Sequence, residues 1–364
     1  MGAISSVNKL SVLYRNRLVG SLAMTADGTR CTFQYAADWL RDGFSVSPLD
    51  LPLKPDLFIA RPTPFYGNFG IFEDSLPDGY GRYLLSRMLR NQGIDDFSLT
   101  PLQRLSIVGS TGMGALCYVP EQTFHDNRNP LPLSELQQLA LDVLQEKNTR
   151  DADTLYFSSG NSGGCRPKCL LTDASGHWLV KFRHTYDPLD MGKEEYRCNQ
   201  LAQQCGIVVP DFRLLDNRYF ASKRFDIAED GQRLHVATAA ALLNEPISPP
   251  KLDYKTVLAL TGYLTQSPAQ VEQMFRRMVF NVLIGNKDDH AKNFTYICAD
   301  GCWTLAPAYD LTRCPQGYNG EHATSVMGKG NPSVEDMLAA AASIRIPRKT
   351  AKGIIESMQA ILNT

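Results

Sequence analysis

The densest group of chemically useful side chains occupies residues 285–294, Gly-Asn-Lys-Asp-Asp-His-Ala-Lys-Asn-Phe. Two carboxylates, a histidine, a lysine and an asparagine fall within the six positions from 288 to 293. Burying such a cluster without partners or ions would cost free energy. Transfer of a phosphoryl group needs an acid that takes the proton of the attacking hydroxyl, together with oxygen ligands for Mg²⁺. This segment contains both kinds of group.

The spacing within the segment narrows the chemistry. In protein kinases the catalytic aspartate and a metal-binding asparagine are five residues apart, and Asp288 and Asn293 have that spacing. Asp289 is the alternative base, although the spacing to Asn293 favours Asp288. His290 fits a structural role as well as a chemical one. In the chemical interpretation, His290 and Lys292 contact the nucleotide, whereas the simplest alternative for the whole segment is a solvated turn with a helix cap.

A second acid follows this loop. Asp310 ends the run Ala-Pro-Ala-Tyr-Asp at residues 306–310, about twenty residues after Asp288 and just beyond a predicted short strand. Kinases hold their second metal ligand at such a position. The sequence therefore predicts Asn293 and Asp310 as ligands of Mg²⁺.

A kinase also needs a lysine on a strand to bind the α- and β-phosphates, and a helical glutamate to hold that lysine. Lys181 lies in the apolar run Trp-Leu-Val-Lys-Phe-Arg at residues 178–183, and Glu195 near the start of the next helix is its predicted partner. Two simpler interpretations stay open. Lys181 could point to solvent from the other face of the strand, and Glu194 and Glu195 could be favoured by the helix dipole alone.

Residues 158–168, Ser-Ser-Gly-Asn-Ser-Gly-Gly-Cys-Arg-Pro-Lys, precede that strand. Consecutive backbone amides in a glycine-rich turn bind phosphate oxygens, and Arg166 and Lys168 add positive charge suited to a nucleotide or an acidic substrate. The segment has neither a Walker A triplet nor the G-x-G-x-x-G of ordinary protein kinases, so a plain flexible loop is the alternative. The predicted phosphate-contacting residues are Ser159, Gly160, Ser162, Gly163 and Gly164.

Hydrophobic periodicity places these segments in a β-rich first part and a helix-rich second part. Residues 107–119 are glycine-rich and are expected to have β-structure at both ends, and residues 125–132 read as a connector. The other predicted elements are two strands in 10–22 with a turn at 15–16, strands at 32–35, 178–183 and 219–226, and helices at 80–90, 133–146, 193–205 and 270–284.

Composition excludes several classes of protein. The chain has 364 residues, of which 43% are hydrophobic and 21% charged, as in ordinary globular proteins. Its formal charge of −1 predicts no direct attraction to DNA or to anionic membranes. Neither a signal peptide nor a membrane span is expected. We expect a cytoplasmic location, where the thiols would be reduced. The cysteine pairs at 165/169 and 298/302 lack the usual zinc spacing and fit small buried hydrophobes better.

Taken in order, these segments resemble the HipA family of serine/threonine kinases, which are toxins of bacterial toxin–antitoxin pairs. The resemblance extends from about Leu10 to Arg313. The loop at 285–294 is its most specific part. The other matching segments are Lys181, 195–196, 222–226, 307–310, 14–22, 72–78 and 109–118.

The resemblance implies a two-lobed, kinase-like α+β fold with ATP between the lobes. Its expected parts are an N-terminal α+β subdomain at 9–120, the rest of the N-lobe at 121–226, and a helix-rich C-terminal lobe at 227–364. The residue roles that it implies are Asp288 as catalytic base, Asn293 and Asp310 as Mg²⁺ ligands, Lys181 at the ATP phosphates, the 158–168 loop covering those phosphates, and a hinge on the adenine side that contains Lys223 and Phe225.

The resemblance also implies regulation and partners. Family members carry a loop serine whose autophosphorylation ejects the loop and inactivates the kinase; Ser162 is nearest in register, with Ser159 and Ser158 as alternatives. A small helix-turn-helix antitoxin is the expected partner, so contact with DNA would be indirect. The protein substrate would be of the class of aminoacyl-tRNA synthetases. The sequence departs from well-known members at 163–168, at Lys223 where an acid is common, and in having only about fifty residues after Arg313.

Two other functions fit the same residues. A kinase of this fold could act on a small molecule, because kinase motifs do not specify the acceptor. Alternatively, the chain could be a nucleotide-binding regulatory module with little or no catalysis.

Overall fold

The structure, a computed structural model, describes residues 4–122, 124, 131–147, 150–159 and 163–363. The chain divides into two compact units. One consists of Met1–Gly192 with Arg213–Val236, and the other of Lys193–Phe212 with Ala237–Thr364.

The first unit begins with a five-stranded antiparallel sheet and four helices. Its elements are β1 (Lys9–Tyr14), β2 (Arg17–Met24), β3 (Cys31–Tyr35), α1 (Ala37–Asp42), β4 (Phe58–Ile59), α2 (Gly70–Glu73), α3 (Gly79–Asn91), α4 (Pro101–Val108) and β5 (Leu116–Val119). The strand order is β4-β3-β2-β1-β5. The predicted turn between β1 and β2 is confirmed, since Arg15 and Asn16 both have positive φ angles, 48° and 62°.

One local prediction in this part is wrong. We expected β-structure at both ends of residues 107–119, but Ile107 lies in the last turn of α4. Thr100 and Gln103 form a capping box and Pro101 occupies the first turn, so the helix begins with strong local signals. The β-branched residues Ile107 and Val108 follow as buried positions of that helix, because packing overrides their β propensity.

The rest of the first unit packs helices on a second sheet. Its elements are α5 (Leu133–Leu144), α6 (Ala152–Ser159), β6 (Lys168–Asp173), β7 (Gly176–Lys181), β8 (Phe212–Leu215) and β9 (Tyr219–Lys223), and the sheet order is β6-β7-β9-β8. Leu84 and Met88 of α3, Leu155 of α6, and Trp178 and Val180 of β7 belong to one buried cluster. This core fixes α6 and β6, the two elements on either side of the glycine- and serine-rich segment.

The second unit is mainly helical. Its elements are α7 (Met191–Gln204), β10 (His235–Thr238), α8 (Ala239–Leu243), α9 (Tyr254–Thr265), α10 (Pro268–Ile284), β11 (Thr295–Ala299), β12 (Cys302–Leu305), α11 (Val334–Ser343) and α12 (Arg348–Leu362). The first two residues of α7 and of β10 still belong to the first unit. β11 and β12 form an antiparallel hairpin. The predicted helix at 270–284 is confirmed as the longest of these, and Phe275, Met278 and Val279 are fully buried. The acidic loop therefore lies between a buried helix and a hairpin.

Two general properties follow from the coordinates. All nine cysteines are free thiols. Within the described ranges, none of the helices has the length and apolar character needed to cross a membrane.

Candidate active site

The acidic loop starts at a well-defined helix end. Gly285 caps α10 with φ +71°, a left-handed conformation that favours glycine. Its backbone N–H donates to the carbonyl groups of Asn281 and Val282. The chain then turns away from the helix and forms a short 3-10 turn at Ala291–Asn293 before β11 begins. Residues 286–294 are thus held at both ends by regular structure.

The two adjacent acids have opposite environments. Asp288 is exposed, whereas Asp289 is fully buried. The Asp289 carboxylate accepts hydrogen bonds from the Tyr254 hydroxyl at 2.8 Å, from His322 Nδ1 at 3.0 Å and from the Thr324 backbone N–H at 3.2 Å. A carboxylate used in this way has no access to a substrate hydroxyl, so the geometry favours Asp288 over Asp289 as the base.

The proposed metal ligands lie on two segments that are bonded together. Asn293 Nδ2 donates to the backbone oxygen of Asp288 at 2.9 Å. The Tyr309 hydroxyl donates to the backbone oxygen of Lys292 and lies 2.6 Å from Thr295 Oγ1. These contacts tie residues 306–310, which end in Asp310, to the loop that carries Asp288 and Asn293.

Two buried side chains hold the second of these segments from the helix side. Arg277 of α10 donates to the backbone oxygen of Ala306, and burial lowers the pKa of its guanidinium to about 10, so it remains charged at neutral pH. Asn286 Nδ2 donates to the backbone oxygen of Asp310 at 3.1 Å. Asp310 itself is half-buried and has φ +54°, a conformation that is unusual outside glycine.

The donor set fits Mg²⁺ in its chemistry. Carboxylate and amide oxygens are its usual protein ligands, and Mg²⁺ commonly keeps waters and phosphate oxygens in its remaining positions. The Asn293 amide nitrogen is used in the bond to Asp288, which leaves its oxygen as the group for a cation. Among the described residues, no cluster of three or more His, Cys, Asp or Glu side chains is placed to hold a metal. Asn293 and Asp310 would supply two of the ligands.

The predicted phosphate-binding lysine lies in the first unit. Lys181 ends β7, is half-buried, and places Nζ 5.9 Å from the ring centroid of Phe220. Its proposed partner Glu195 belongs to the second unit, on α7, where it is buried with a relative exposure of 1%. The pairing of Lys181 with Glu195 stays a prediction.

The first two residues of the glycine- and serine-rich segment are helical and do not belong to a loop. Ser158 and Ser159 belong to the last turn of α6, where their hydroxyls donate to the backbone oxygens of Thr154 and Tyr156 at 2.8 and 3.3 Å. Ser159 is fully buried, so it does not face a phosphate in this conformation. Gly160 and Ser162 lie outside the described residues. Of the predicted phosphate-contacting residues, Gly163 and Gly164 are described in a loop.

Gly163 and Gly164 are held by the start of α3. The backbone N–H of Gly164 donates to the Asp78 carboxylate, and its carbonyl accepts from the Tyr80 N–H at 3.0 Å. Gly79 has φ +46°, and a Cβ at that position would lie 2.6 Å from the Gly164 oxygen. Only a glycine therefore permits this close approach of two backbones.

The two cations after the loop are bonded to neighbouring groups of the protein, and the suitability of their charge for a nucleotide or an acidic substrate stays a prediction. Lys168 is buried and its Nζ donates to the backbone oxygen of Gly163. Arg166 forms two hydrogen bonds with Asp187, at 2.8 and 3.1 Å. Burial favours such pairing because an unpartnered charge in the interior is costly. Both side chains hold the loop in place in this conformation.

The other residues predicted to contact the nucleotide are half-buried. Lys223 and Phe225 are half-buried at and just after the end of β9. Between them, Arg224 donates twice to Asp226, which also accepts from the Gly114 N–H at 2.9 Å. Burial alone would raise the pKa of Asp226, but these bonds lower it below its usual value. His290 and Lys292 are half-buried in the acidic loop, and the buried atom His290 Nδ1 has no hydrogen-bond partner among the described residues.

Sequence reasoning missed the residues that support the acidic loop. They are Tyr254 on α9, Asn281 on α10, Asn286, and the pair His322 and Thr324. Each is buried and polar. No local pattern marks them, because their partners are far along the chain; His322 is 33 residues from Asp289.

The HipA N-terminal domain matches residues 10–119 and the HipA-like C-terminal domain matches residues 160–364. The second match continues well past Arg313, further than the sequence resemblance suggested. The putative kinase Y4mE of Sinorhizobium fredii is 27% identical over 342 residues, which are 84% of this chain and 77% of that protein. The putative kinase Y4dM of the same organism is 30% identical over 156 residues, or 37% of each protein.

A solved structure resembles the chain along almost its whole length. A chain of the toxin–antitoxin complex of HipA, HipB and operator DNA from Shewanella oneidensis MR-1 aligns with a TM-score of 0.73 at 18% identity. The alignment covers 97% of this chain and 90% of that chain. The likeness confirms the predicted α+β fold.

Proposed function

Because this chain belongs to the HipA family, we propose that it is an ATP- and Mg²⁺-dependent kinase that transfers the γ-phosphate to a serine or threonine of a protein. One observation carries the proposal: of the two adjacent acids, Asp289 is buried and hydrogen-bonded within the protein, whereas Asp288 is exposed. Their loop also contains Asn293 and is hydrogen-bonded to the segment that ends in Asp310. The likeness to two putative kinases supports it.

Each residue has a defined task in this proposal. Asp288 takes the proton of the attacking hydroxyl. Asn293 and Asp310 would hold Mg²⁺, which neutralises charge on the phosphates when bound. Lys181 binds the α- and β-phosphates, and backbone amides of the loop before β6 cover them. Catalysis then rests on positioning and charge neutralisation, as is usual for phosphoryl transfer.

The proposal is tested by transfer of labelled γ-phosphate from Mg–ATP in a bacterial lysate. Asp288→Asn removes the base at constant shape, and we expect it to lower transfer by at least ~100-fold, the scale of general-base catalysis. Asp300→Asn, a change at an exposed acid in the turn between β11 and β12, is the matched control and should leave transfer unchanged.

The pattern of labelling separates the alternatives. One discrete protein band that disappears with Asp288→Asn supports a protein kinase and identifies its target. Label in a metabolite without any labelled protein would instead establish a small-molecule kinase. ATP binding without any transfer by the wild type would contradict the kinase proposal in favour of a regulatory nucleotide-binding module.

We also propose self-phosphorylation at Ser162. The contacts of Ser158 and Ser159 within α6 argue against these two, because a phosphate on either would break its hydrogen bond to the helix backbone, and Ser159 is fully buried. Intact-protein mass spectrometry after incubation with Mg–ATP is the measurement. Ser162→Ala should abolish the added phosphate while Ser158→Ala retains it, and the reverse result would overturn this assignment.

For partners, we propose a small DNA-binding antitoxin and, as substrate, a component of translation such as an aminoacyl-tRNA synthetase. The related Shewanella protein was solved with HipB and operator DNA. A formal charge of −1 gives this chain little electrostatic attraction to DNA, so contact with an operator would be made through the partner. Nine free cysteines fit the reducing cytoplasm as its place of action.

A further inference from the structure

Asp289 is the centre of a buried hydrogen-bond network that reaches beyond its own loop. Its Oδ2 accepts from Tyr254 and His322, and its Oδ1 accepts from the Thr324 backbone. The Thr324 hydroxyl also donates to the backbone oxygen of Asp289. A buried carboxylate with three donors is held tightly, since losing any donor would leave charge without compensation.

The network continues from Tyr254 to the second proposed metal ligand. The Tyr254 hydroxyl accepts from Asn281 Nδ2 at 2.9 Å, and Asn281 Oδ1 accepts from Asn286 Nδ2 at 3.0 Å. The same Asn286 nitrogen donates to the backbone oxygen of Asp310. A continuous path of hydrogen bonds thus runs from residues 322–324, through Asp289 and helices α9 and α10, to Asp310.

The segment that supplies two of the donors is itself fixed against the loop. The backbone N–H of Ala323 donates to the oxygen of Lys287 at 3.0 Å. Lys287 Nζ donates to the backbone oxygen of Gly320 at 2.6 Å and to Asn331 at 2.8 Å. Residues 320–331 therefore pack on the loop along its first half.

We propose that Asp289 is a positioning residue: it locks the loop so that Asp288 and Asn293 keep their places relative to Asp310, and Tyr254 and residues 322–324 act through it. The inference rests on the proposed kinase function and assigns a role in it to residues far from the reacting atoms. A displacement of about 1 Å in a catalytic group can cost up to 100-fold in rate. A residue that prevents such displacement affects turnover more than nucleotide affinity, because alignment of the reacting atoms depends more steeply on distance than binding does.

A pair of matched substitutions tests this role. Tyr254 and Tyr296 are both fully buried in the second unit, and each hydroxyl has a buried partner; that of Tyr296 lies 2.8 Å from Thr261 Oγ1. Tyr254→Phe removes a donor to Asp289, and Tyr296→Phe removes a comparable bond outside the network. Both should lower the melting temperature, and Tyr254→Phe should lower it more, because it also leaves the buried Asn281 amide and the Asp289 carboxylate short of a partner.

Only the first substitution should change the loop. For Tyr254→Phe we expect kcat for phosphate transfer from Mg–ATP to fall at least ~10-fold with KM for ATP within about 2-fold. Its backbone amides at 288–293 and 322–324 should exchange hydrogen faster than in the wild type. Asp289→Asn should also lower kcat with little change in KM, and by more, since the new amide NH₂ group would face hydrogen-bond donors. If Asp289→Asn does not fold, Tyr254→Phe still tests the proposal.

The outcomes separate the two proposals. If Tyr254→Phe and Asp289→Asn lower only the melting temperature, as Tyr296→Phe does, then the network is ordinary core and the positioning role is wrong. If the wild type transfers no phosphate but exchange at 288–293 still responds to Tyr254→Phe alone, the kinase proposal fails while the ordering of the loop by Asp289 stands.

Discussion

Neighbouring residues of one type can be assigned different tasks by their surroundings. Asp288 and Asp289 have the same side chain, yet one is exposed and the other is surrounded by three donors. An acid that accepts a proton from a substrate needs access, whereas a buried acid with full partners holds structure. The same contrast separates Lys181, half-buried beside Phe220, from Lys168, which is buried and bonded to Gly163.

A buried histidine gives a prediction at this scale. His235 in the first unit is almost fully buried, and its Nε2 lies 2.8 Å from the backbone oxygen of Val46. Burial lowers its pKa to about 4, despite the opposing effect of the Val46 bond. In the unfolded chain a histidine has a pKa of about 6.5. The unfolded state therefore binds more protons between these two values, and the folded state loses stability as the pH falls through that range.

We expect this group to remove up to about 3 kcal/mol from the free energy of unfolding between pH 7 and pH 4. His235→Gln keeps a donor for the Val46 carbonyl but cannot be protonated, so its stability should depend less on pH in that range. Urea unfolding at pH 7.5, 6 and 5 is the measurement. The control is His177→Gln on β7; equal pH dependence in the two variants would refute the assignment.

At the scale of elements, α3 fixes the end of the glycine- and serine-rich loop. The residue before this helix, Asp78, binds the N–H of Gly164, and Tyr80 binds its carbonyl. The helix also packs against α6 in the same buried cluster, so both sides of the loop rest on α3. The segment 72–78, noted in the sequence only for its family resemblance, thereby gains a physical role.

Two glycines allow this role to be tested. Gly79 and Gly285 both have positive φ, +46° and +71°, but only Gly79 faces a backbone atom, the Gly164 oxygen. Gly285→Ala should destabilise the protein by about 1 kcal/mol through backbone strain alone. Gly79→Ala carries similar strain plus a clash, so its loss should be larger. In Gly79→Ala, the backbone amides of residues 163–171 should also exchange hydrogen faster, which mass spectrometry would measure.

The exchange pattern is the decisive part of this comparison. Gly285→Ala should leave residues 163–171 as protected as in the wild type. If both variants accelerate exchange there equally, or if neither does, then α3 does not hold the loop.

At the scale of the whole molecule, each unit carries its own group of proposed ligands. Lys181 and the loop before β6 belong to the first unit, and the acidic loop and Asp310 belong to the second. Family matches cover both parts of the chain, residues 10–119 and 160–364. A nucleotide that binds only the folded chain stabilises it by mass action.

A non-hydrolysable ATP analogue with Mg²⁺ should therefore raise the melting temperature of the full chain. At 100 times the dissociation constant the expected gain is about 2.7 kcal/mol. Chelation of Mg²⁺ should remove much of this gain. In Asn293→Ala, the melting temperatures measured with Mg²⁺ and with chelator should differ by less than in the wild type. Asn91→Ala, which alters an exposed asparagine at the end of α3, serves as control. An identical Mg²⁺ dependence in Asn293→Ala and wild type would exclude Asn293 as a ligand.

The sequence by itself identified the family, and it predicted the chemistry. The spacing of Asp288 and Asn293, the later Asp310 and the lysine on an apolar strand are local patterns, and helix ends such as Gly285 have local signals. The fold followed from the resemblance that these patterns carry. The β-structure predicted to start at Ile107 was wrong, because the capping of α4 and burial outweighed the β propensity of this residue.

Only the tertiary structure decided which acid is buried, that Ser158 and Ser159 are helical, and that Arg166 and Lys168 bond to Asp187 and Gly163. The reason is that burial and hydrogen bonding depend on partners distant in the chain. Asp289 meets Tyr254 and Thr324, each 35 residues away, and Gly164 meets Asp78 across 86 residues. Local sequence cannot encode such pairs, because they form only when the cores around α3 and α10 bring them together.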